Sequence, residues 1–324
     1  MTKTILPKVS IIIPVYNGSN YMKEAIDSAL NQTYKDIEII VVNDGSNDNG
    51  ETEKIALSYG SKIRYFKKEN GGVSTALNLA ISKMSGKYFS WLSHDDVYYP
   101  NKIEAQINYL IDNNLVNKNI ILYADYDVIN EKSKVFDKCF LDHNYLINKG
   151  EYSLLKRYIN GLTLLIPKKA FDEFGLFNEK LRCVQDYDMW YRMSKKYKFI
   201  HMEGIFVKSR QHIGQVTFTN PNVSIEGNNL FIEMIKDVPT KLMEKLEGSV
   251  CQFYKEMVDS LKNSPYDEAL QFCKQKYDET NQDSDISKIE KKKNNIIFKN
   301  PIKIIKKYGP KIAIKKIINN IKKS

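Results

Sequence analysis

The sequence predicts an α/β fold in which a mixed, mostly parallel sheet is covered by helices, and two observations in its first hundred residues carry that reading. Short β-rich runs alternate with amphipathic helical stretches, the pattern of strand, crossover helix and returning strand. The polar, turn-rich loops follow the carboxyl ends of those strands. That is the edge at which open sheets of this kind bind their ligands.

Val9 to Val15 is the first strand. The turn formers Asn17-Gly18-Ser19 follow it, and Met22, Ile26, Ala29 and Leu30 then recur at helical spacing, so a helix covers that strand. Glu38 to Val42 is the second strand and runs into Asn43-Asp44-Gly45-Ser46-Asn47-Asp48, a loop of turn residues. Ile63 to Phe66 is the third, followed by an apolar helical stripe of Val73, Ala76, Leu77, Ala80, Ile81 and Met84. Lys87 to Leu92 is the fourth and ends in Ser93-His94-Asp95-Asp96. From Asn101 the sequence predicts a helix on Ile103, Ile107, Leu110 and Ile111, a strand over Ile120 to Ala124, a second apolar strand over Leu162 to Ile166, and an amphipathic helix starting near Asp186. Beyond Pro221 it turns helical and polar.

A hydrophobic fraction of 42% places the 324 residues among globular chains. The longest apolar runs, Val9 to Tyr16 and Ile37 to Val42, fall far short of the ~20 residues that cross a bilayer. No signal-peptide pattern opens the chain, so the expected location is the cytoplasm. Cys139, Cys183, Cys251 and Cys273 are widely spaced and read as free thiols. The formal charge of +10 is local, because Lys291 to Ser324 holds 12 lysines and no acid, which leaves about −2 for the rest. A nucleic-acid enzyme spreads its cations over a binding face, so nucleic acid is not an expected partner. Within the tail, Ile314, Ile317, Ile318 and Ile321 share one helical face and lysines fill the remaining arc. Such a helix suits an anionic membrane surface, where each lysine contributes about 1 kcal/mol.

Five motifs occur in order: Val9-Ser10-Ile11-Ile12-Ile13-Pro14-Val15-Tyr16-Asn17, Val42-Asn43-Asp44-Gly45-Ser46, Asn70-Gly71-Gly72-Val73-Ser74, Asp95-Asp96, and Gln185-Asp186-Tyr187-Asp188-Met189-Trp190. Together they resemble the family 2 glycosyltransferases over roughly Lys8 to Thr217. The resemblance implies a GT-A, Rossmann-like fold, here with a C-terminal helical extension. It also implies an inverting reaction with a nucleotide-activated sugar.

The resemblance further implies a role for each motif. Pro14, Tyr16 and Asn17 would border the nucleobase, with Tyr16 packing on it and Asp44 hydrogen-bonding to it. Asn70, Gly71 and Gly72 stand just before a helix, whose first N–H groups suit a phosphate or sugar. Asp95 would bind Mg²⁺ or Mn²⁺, which stabilises a departing diphosphate as a Lewis acid. Asp96 would touch the donor, and His212 of Arg210-Gln211-His212 would reach back to the metal. Asp186 would be the general base, with Asp188 turned to another face. Departures from the family pattern are Asn43 for a common aspartate, Ser93 for the first acid of the D-x-D, Gln185 for glutamate, and Leu77 where an arginine is frequent.

The expected organisation is a glycosyltransferase domain over residues 1–220, with a nucleotide-binding half (1–100) and an acceptor half (101–220), then a helical extension (221–290) and the basic tail (291–324). The expected activity moves a sugar, UDP-linked, to a hydroxyl of a glycan or lipid-linked saccharide in bacterial surface polymer synthesis, peripherally on the inner face of the membrane. A processive synthase would carry spanning segments and Gln-x-x-Arg-Trp, and a nucleotidyltransferase a Gly-rich loop with a lysine or arginine after the first strand. From a different class, the alternative is a noncatalytic membrane-adaptor or nucleic-acid-binding protein built around the tail.

Overall fold

Val9–Val15, buried at every position, forms β1, because helices cover both faces of the sheet it centres. The computed structural model describes residues 6–150, 152–212, 220 and 222–282. After β1 come α1 (Met22–Leu30), β2 (Ile37–Asp44), α2 (Glu51–Ser58), β3 (Arg64–Lys68), α3 (Val73–Lys83), β4 (Tyr88–Trp91), β5 (Val97–Tyr98) and α4 (Lys102–Asp112). The chain continues with β6 (Ile120–Ile129), β7 (Val135–Cys139), α5 (His143–Lys149), α6 (Tyr152–Leu155), β8 (Ile166–Pro167), α7 (Lys168–Phe174), α8 (Gln185–Ser194) and β9 (Lys198–Arg210). Three further helices are α9 (Asn222–Lys236), α10 (Thr240–Glu247) and α11 (Val250–Leu261), and residues 267–282 form α12.

The first sheet has the order β3-β2-β1-β4-β8. Its first four strands are parallel and β8 runs antiparallel to β4. Ile11, Ile13 and Val15 pack with Ile39 and Val41 against Met22, Ala25, Ile26 and Ala29 of α1 and Ile103, Ile107 and Leu110 of α4. The other face of β1 and β2 meets α3. This two-sided burial explains why β1 and β2 read as near-continuous apolar runs rather than alternating ones. A second sheet, β5-β9-β6-β7, pairs β6 with β9 in parallel and its other neighbours antiparallel.

Two features differ from the sequence expectation. Leu162 to Ile166 is mostly not a strand: Gly161–Thr163 make a 3-10 turn, and strand pairing is confined to Ile166–Pro167 with one isolated bridge from Leu165 to Leu122. The Asn160 side chain accepts the Leu162 N–H at 3.0 Å, and this local bond replaces a ladder bond. The 13-residue β9 was not legible in the sequence. It is only partly buried, with polar residues on both faces, and its pairing with β6 shifts register at Ala124/Asp125, near Gly204 with φ +122°.

The described residues divide into two compact units, one through Val238 with Asn263–Ala269, the other Pro239–Lys262 and from Leu270 onward. In the second, α10 and α11 bury Met243, Leu246, Phe253, Met257 and Leu261. Among the described residues no helix is long and apolar enough to cross a membrane. The basic helix read between Lys291 and Ser324 lies outside the described residues.

Candidate active site

Two groups of candidate residues follow the carboxyl ends of β1, β2 and β4, and a third lies in the first turn of α8. Pro14 is buried in β1, while Tyr16 just beyond the strand is 43% exposed, so its ring is available to stack. Asn17 adopts φ +50°. Its Nδ2 donates to Asn47 Oδ1 at 2.8 Å, and its Oδ1 accepts the Asn47 N–H at 2.9 Å. Asn17 thus ties the β1 and β2 loops together.

Asp44, at the end of β2, turns its carboxylate inward. Oδ1 accepts from Lys68 Nζ at 2.7 Å and the Gly71 N–H at 3.1 Å, and Oδ2 accepts the Gly72 N–H at 2.7 Å. Asn70 Nδ2 donates to the Asp44 carbonyl at 2.9 Å. Asp44 is only 3% exposed. Sequence reasoning assigned it to the base; in the structure its carboxylate also holds the Asn70-Gly71-Gly72 loop over the sheet edge. Gly72 has φ +92°, and a side chain there would strike the Arg182 guanidinium, which donates to the Gly71 carbonyl at 2.6 Å. A loop with positive φ and this close approach needs glycine.

The second group follows β4. His212 Nε2 and Asp95 Oδ2 lie 3.0 Å apart. Behind them Arg210, whose side chain is 0% exposed, donates from Nε to the Asp95 carbonyl at 2.6 Å and from its backbone N–H to Asp96 Oδ1 at 2.6 Å. The same guanidinium reaches Glu24 Oε2 at 2.6 Å and Ser133 Oγ at 3.0 Å, and stacks over the Tyr21 ring at 4.3 Å. Asp96, for which a donor contact is expected, accepts the Arg210 backbone N–H. It is buried against β9, and that burial, with the neighbouring Asp95 charge, raises its carboxyl pKa well above the ordinary range. Burial lowers the His94 pKa. Its ring abuts Gly18, where a Cβ would lie 2.6 Å from His94 Cδ2.

Asp95 and His212 bring a carboxylate oxygen and a ring nitrogen within 3.0 Å of each other, donor types that suit Mg²⁺ or Mn²⁺. Among the described residues no cluster of three or more His, Cys, Asp or Glu could hold an ion. Asp95 and His212 would therefore be the only two such side chains, among the described residues, to meet an ion here.

The third group is the first turn of α8. Asp186 accepts the Tyr187 N–H at 2.8 Å, and burial raises its carboxyl pKa from 3.8 to about 6 against the opposing pull of backbone N–H groups. Tyr187 Oη donates to the Ile159 carbonyl at 2.9 Å and fixes the turn. Asp188 points elsewhere and pairs with Arg192 at 2.9 Å, as its position on the helix predicts. Gln185 buries an amide oxygen that meets no protein donor among the described residues. Trp190 packs edge-on against Phe177 at 5.8 Å, and Phe177 against Trp91 at 6.1 Å, an aromatic wall beside the turn.

Sequence reasoning missed Lys68, Arg210, Arg182 and Glu226. The last accepts three successive backbone N–H groups from Arg182, Cys183 and Val184. Only Arg210 carried a signal, as the first member of Arg-x-His.

Comparison with known proteins agrees with this architecture. A model of "Glycosyl transferase family 2" matches residues 10–171. An uncharacterized glycosyltransferase of Rickettsia felis is 51% identical over 267 residues, covering 81% of this chain and 44% of that protein. The chain therefore spans less than half the length of that relative. Another, from Rickettsia typhi, is 45% identical over 324 residues, covering 99% of this chain and 98% of that protein. The structure of S. aureus TarS in complex with UDP-GlcNAc superposes with a TM-score of 0.59 at 15% identity, covering 83% of this chain and 88% of that one, a likeness of fold. With a matching family model over half its length and a full-length relative at that identity, the chain belongs to glycosyl transferase family 2.

Proposed function

We propose that the chain transfers a sugar from a nucleotide diphosphate-sugar, UDP-linked, to a hydroxyl of a glycan acceptor, with inversion at the anomeric carbon. The observation that carries the reading is Asp186. It is a carboxylate in the first turn of α8 whose pKa is raised to about 6, matched to taking up a proton near neutral pH. The acceptor oxygen attacks C1 as the bond from C1 to the diphosphate oxygen breaks. Asp186 takes the hydroxyl proton, and the electron pair of the broken bond leaves with the nucleoside diphosphate. One in-line displacement inverts the centre.

Tyr16 stacks on the base, and the loop that Asp44 folds presents the start of α3 to the phosphates and sugar. Asp95 and His212 would hold Mg²⁺ or Mn²⁺. The ion supplies Lewis-acid stabilisation of the departing diphosphate. That a TarS structure contains UDP-GlcNAc supports a UDP donor. In this reading residues 1–100 form the donor half, 101–220 the acceptor half and 221–290 a helical extension. The 12 lysines of residues 291–324 support a lipid-linked acceptor met at an anionic membrane surface, with no nucleic-acid partner.

The test is a panel of nucleotide sugars assayed for metal-dependent transfer and donor hydrolysis, with the anomeric configuration of the product read by NMR. Turnover of UDP-sugars with inversion is expected. Retention, or equal turnover in chelator and in metal, overturns the reading.

A further inference from the structure

We infer that Glu226, on α9, is a positioning residue that sets Asp186 for proton transfer and joins the base side of the crevice to the donor loop. The inference rests on Asp186 being the base. Val184 caps α8 without any side-chain bond of its own, and a helix start leaves several N–H groups unpaired. Glu226, from another element, instead pairs the N–H groups of the segment that leads into α8. Its Oε1 accepts the Arg182 N–H at 3.0 Å, and its Oε2 accepts the Cys183 N–H at 2.9 Å and the Val184 N–H at 3.4 Å. A carboxylate gathering three consecutive peptide N–H groups makes charge-assisted bonds, about twice as strong as neutral ones. They fix the backbone two residues before Asp186.

Glu226 is itself held. At the neighbouring Gly227 a Cβ would lie 2.1 Å from the Tyr266 ring, so α9 packs there without room for a side chain. Tyr266 stacks on Phe231 at 4.9 Å, and Phe231 meets Tyr187 at 5.7 Å. The residue after Asp186 is thus clamped to the helix that carries Glu226.

The same carboxylate anchors Arg182, whose guanidinium donates to the Gly71 carbonyl at 2.6 Å. Asn78 of α3 fixes the approach to this segment, donating to the Phe177 carbonyl at 3.0 Å and accepting the Phe177 N–H at 2.9 Å. Glu226 therefore links the Gly71-Gly72 loop at α3 with the first turn of α8. A displacement of about 1 Å at a reacting group costs up to about 10²-fold in rate. Loss of this anchor should be felt in the chemical step.

The experiment is a double-mutant cycle on the full chain: wild type, Glu226→Ala, Asp186→Asn and the double variant, with kcat, donor KM and thermal melting read for each. Glu226→Ala should lower kcat about 10- to 10²-fold, raise donor KM by a smaller factor through the loosened Arg182 contact, and shift the acidic limb of the kcat profile. Glu226→Gln, which keeps one acceptor oxygen, should recover part of the rate and serves if the alanine variant does not fold. In the Asp186→Asn background the added Glu226→Ala should change kcat by less than about twofold, because its effect passes through Asp186. An equal fall in both backgrounds, or a loss confined to KM, overturns the inference while leaving the base intact. A wild-type rate for Asp186→Asn alone removes the base itself, a separate and recognisable result.

Discussion

His212 Nε2 and Asp95 Oδ2 meet at 3.0 Å although 117 positions separate them in the chain. The pair is assembled by Arg210. Two residues before His212, it holds the Asp95 carbonyl through Nε and Asp96 through its backbone N–H. The end of β9 is thereby locked onto the loop after β4.

Asp95→Ala should abolish metal-stimulated transfer, and His212→Ala should weaken Mn²⁺ binding while leaving the fold intact. Mn²⁺ titration followed by calorimetry or paramagnetic resonance checks both without reliance on turnover. Undiminished binding in both variants would place the ion elsewhere.

Tyr16 and Asp44 should separate binding from architecture. Tyr16 is exposed, so Tyr16→Ala should weaken UDP affinity by roughly 1–3 kcal/mol of lost stacking and leave the melting temperature unchanged. Asp44→Ala orphans the Gly71 and Gly72 N–H groups and leaves the Lys68 ammonium with the Glu69 carbonyl alone of its two acceptors. Each stranded group costs about 1–3 kcal/mol, so both affinity and stability should fall. An Asp44→Ala variant that melts like wild type contradicts the inward placement of its carboxylate.

The legible parts of the fold are those where one physical signal dominates. β1 and β2 announce themselves because two-sided burial forces apolar residues at nearly every position, and α3 because its buried stripe repeats with helical period. β9 is hidden because its residues are only partly buried and its bulge breaks alternation. Among site residues, the sequence locates acids at strand ends and cannot say which way they turn. Asp95 and Asp96 are adjacent, yet one faces His212 and the other the Arg210 backbone. Glu226 leaves no local mark, since its partners lie 42 to 44 residues away and are peptide N–H groups that every sequence contains.

Glu38 tests the opposite edge of the sheet. Its side chain is 7% exposed. Burial pushes its pKa up, but Ser10 Oγ at 2.6 Å, Ser85 N–H at 2.6 Å and Arg64 outweigh it and hold the carboxyl down at about 2. A depressed folded-state pKa stabilises above the ordinary 4.5 and loses that contribution as pH falls toward 2. Glu38→Gln should therefore cost on the order of 2 kcal/mol at pH 7, after discounting for the solvent-screened Arg64, and much less near pH 2. Urea denaturation of both proteins across that range gives the answer, and a penalty independent of pH would contradict it.

Asp186 carries opposite consequences for rate and stability. Burial raises its pKa from 3.8 to about 6, so its ionised form is penalised in the folded protein. By linkage the group favours folding below its unfolded pKa and loses that contribution as pH rises through about 6. At pH 8 a neutral asparagine of the same shape escapes the penalty, which is at most about 3 kcal/mol for a two-unit shift and less for the solvent contact Asp186 retains. Asp186→Asn should thus melt at or above the wild-type temperature at pH 8, with the difference vanishing near pH 4. Its transfer rate should fall about 10²- to 10⁴-fold, the usual worth of a positioned general base, with donor binding unchanged. In wild type kcat should rise with pH through about 6 and level off above it, and the variant should lack that limb. A variant both slower and less stable at pH 8 would mean that the carboxylate supports the fold rather than the reaction.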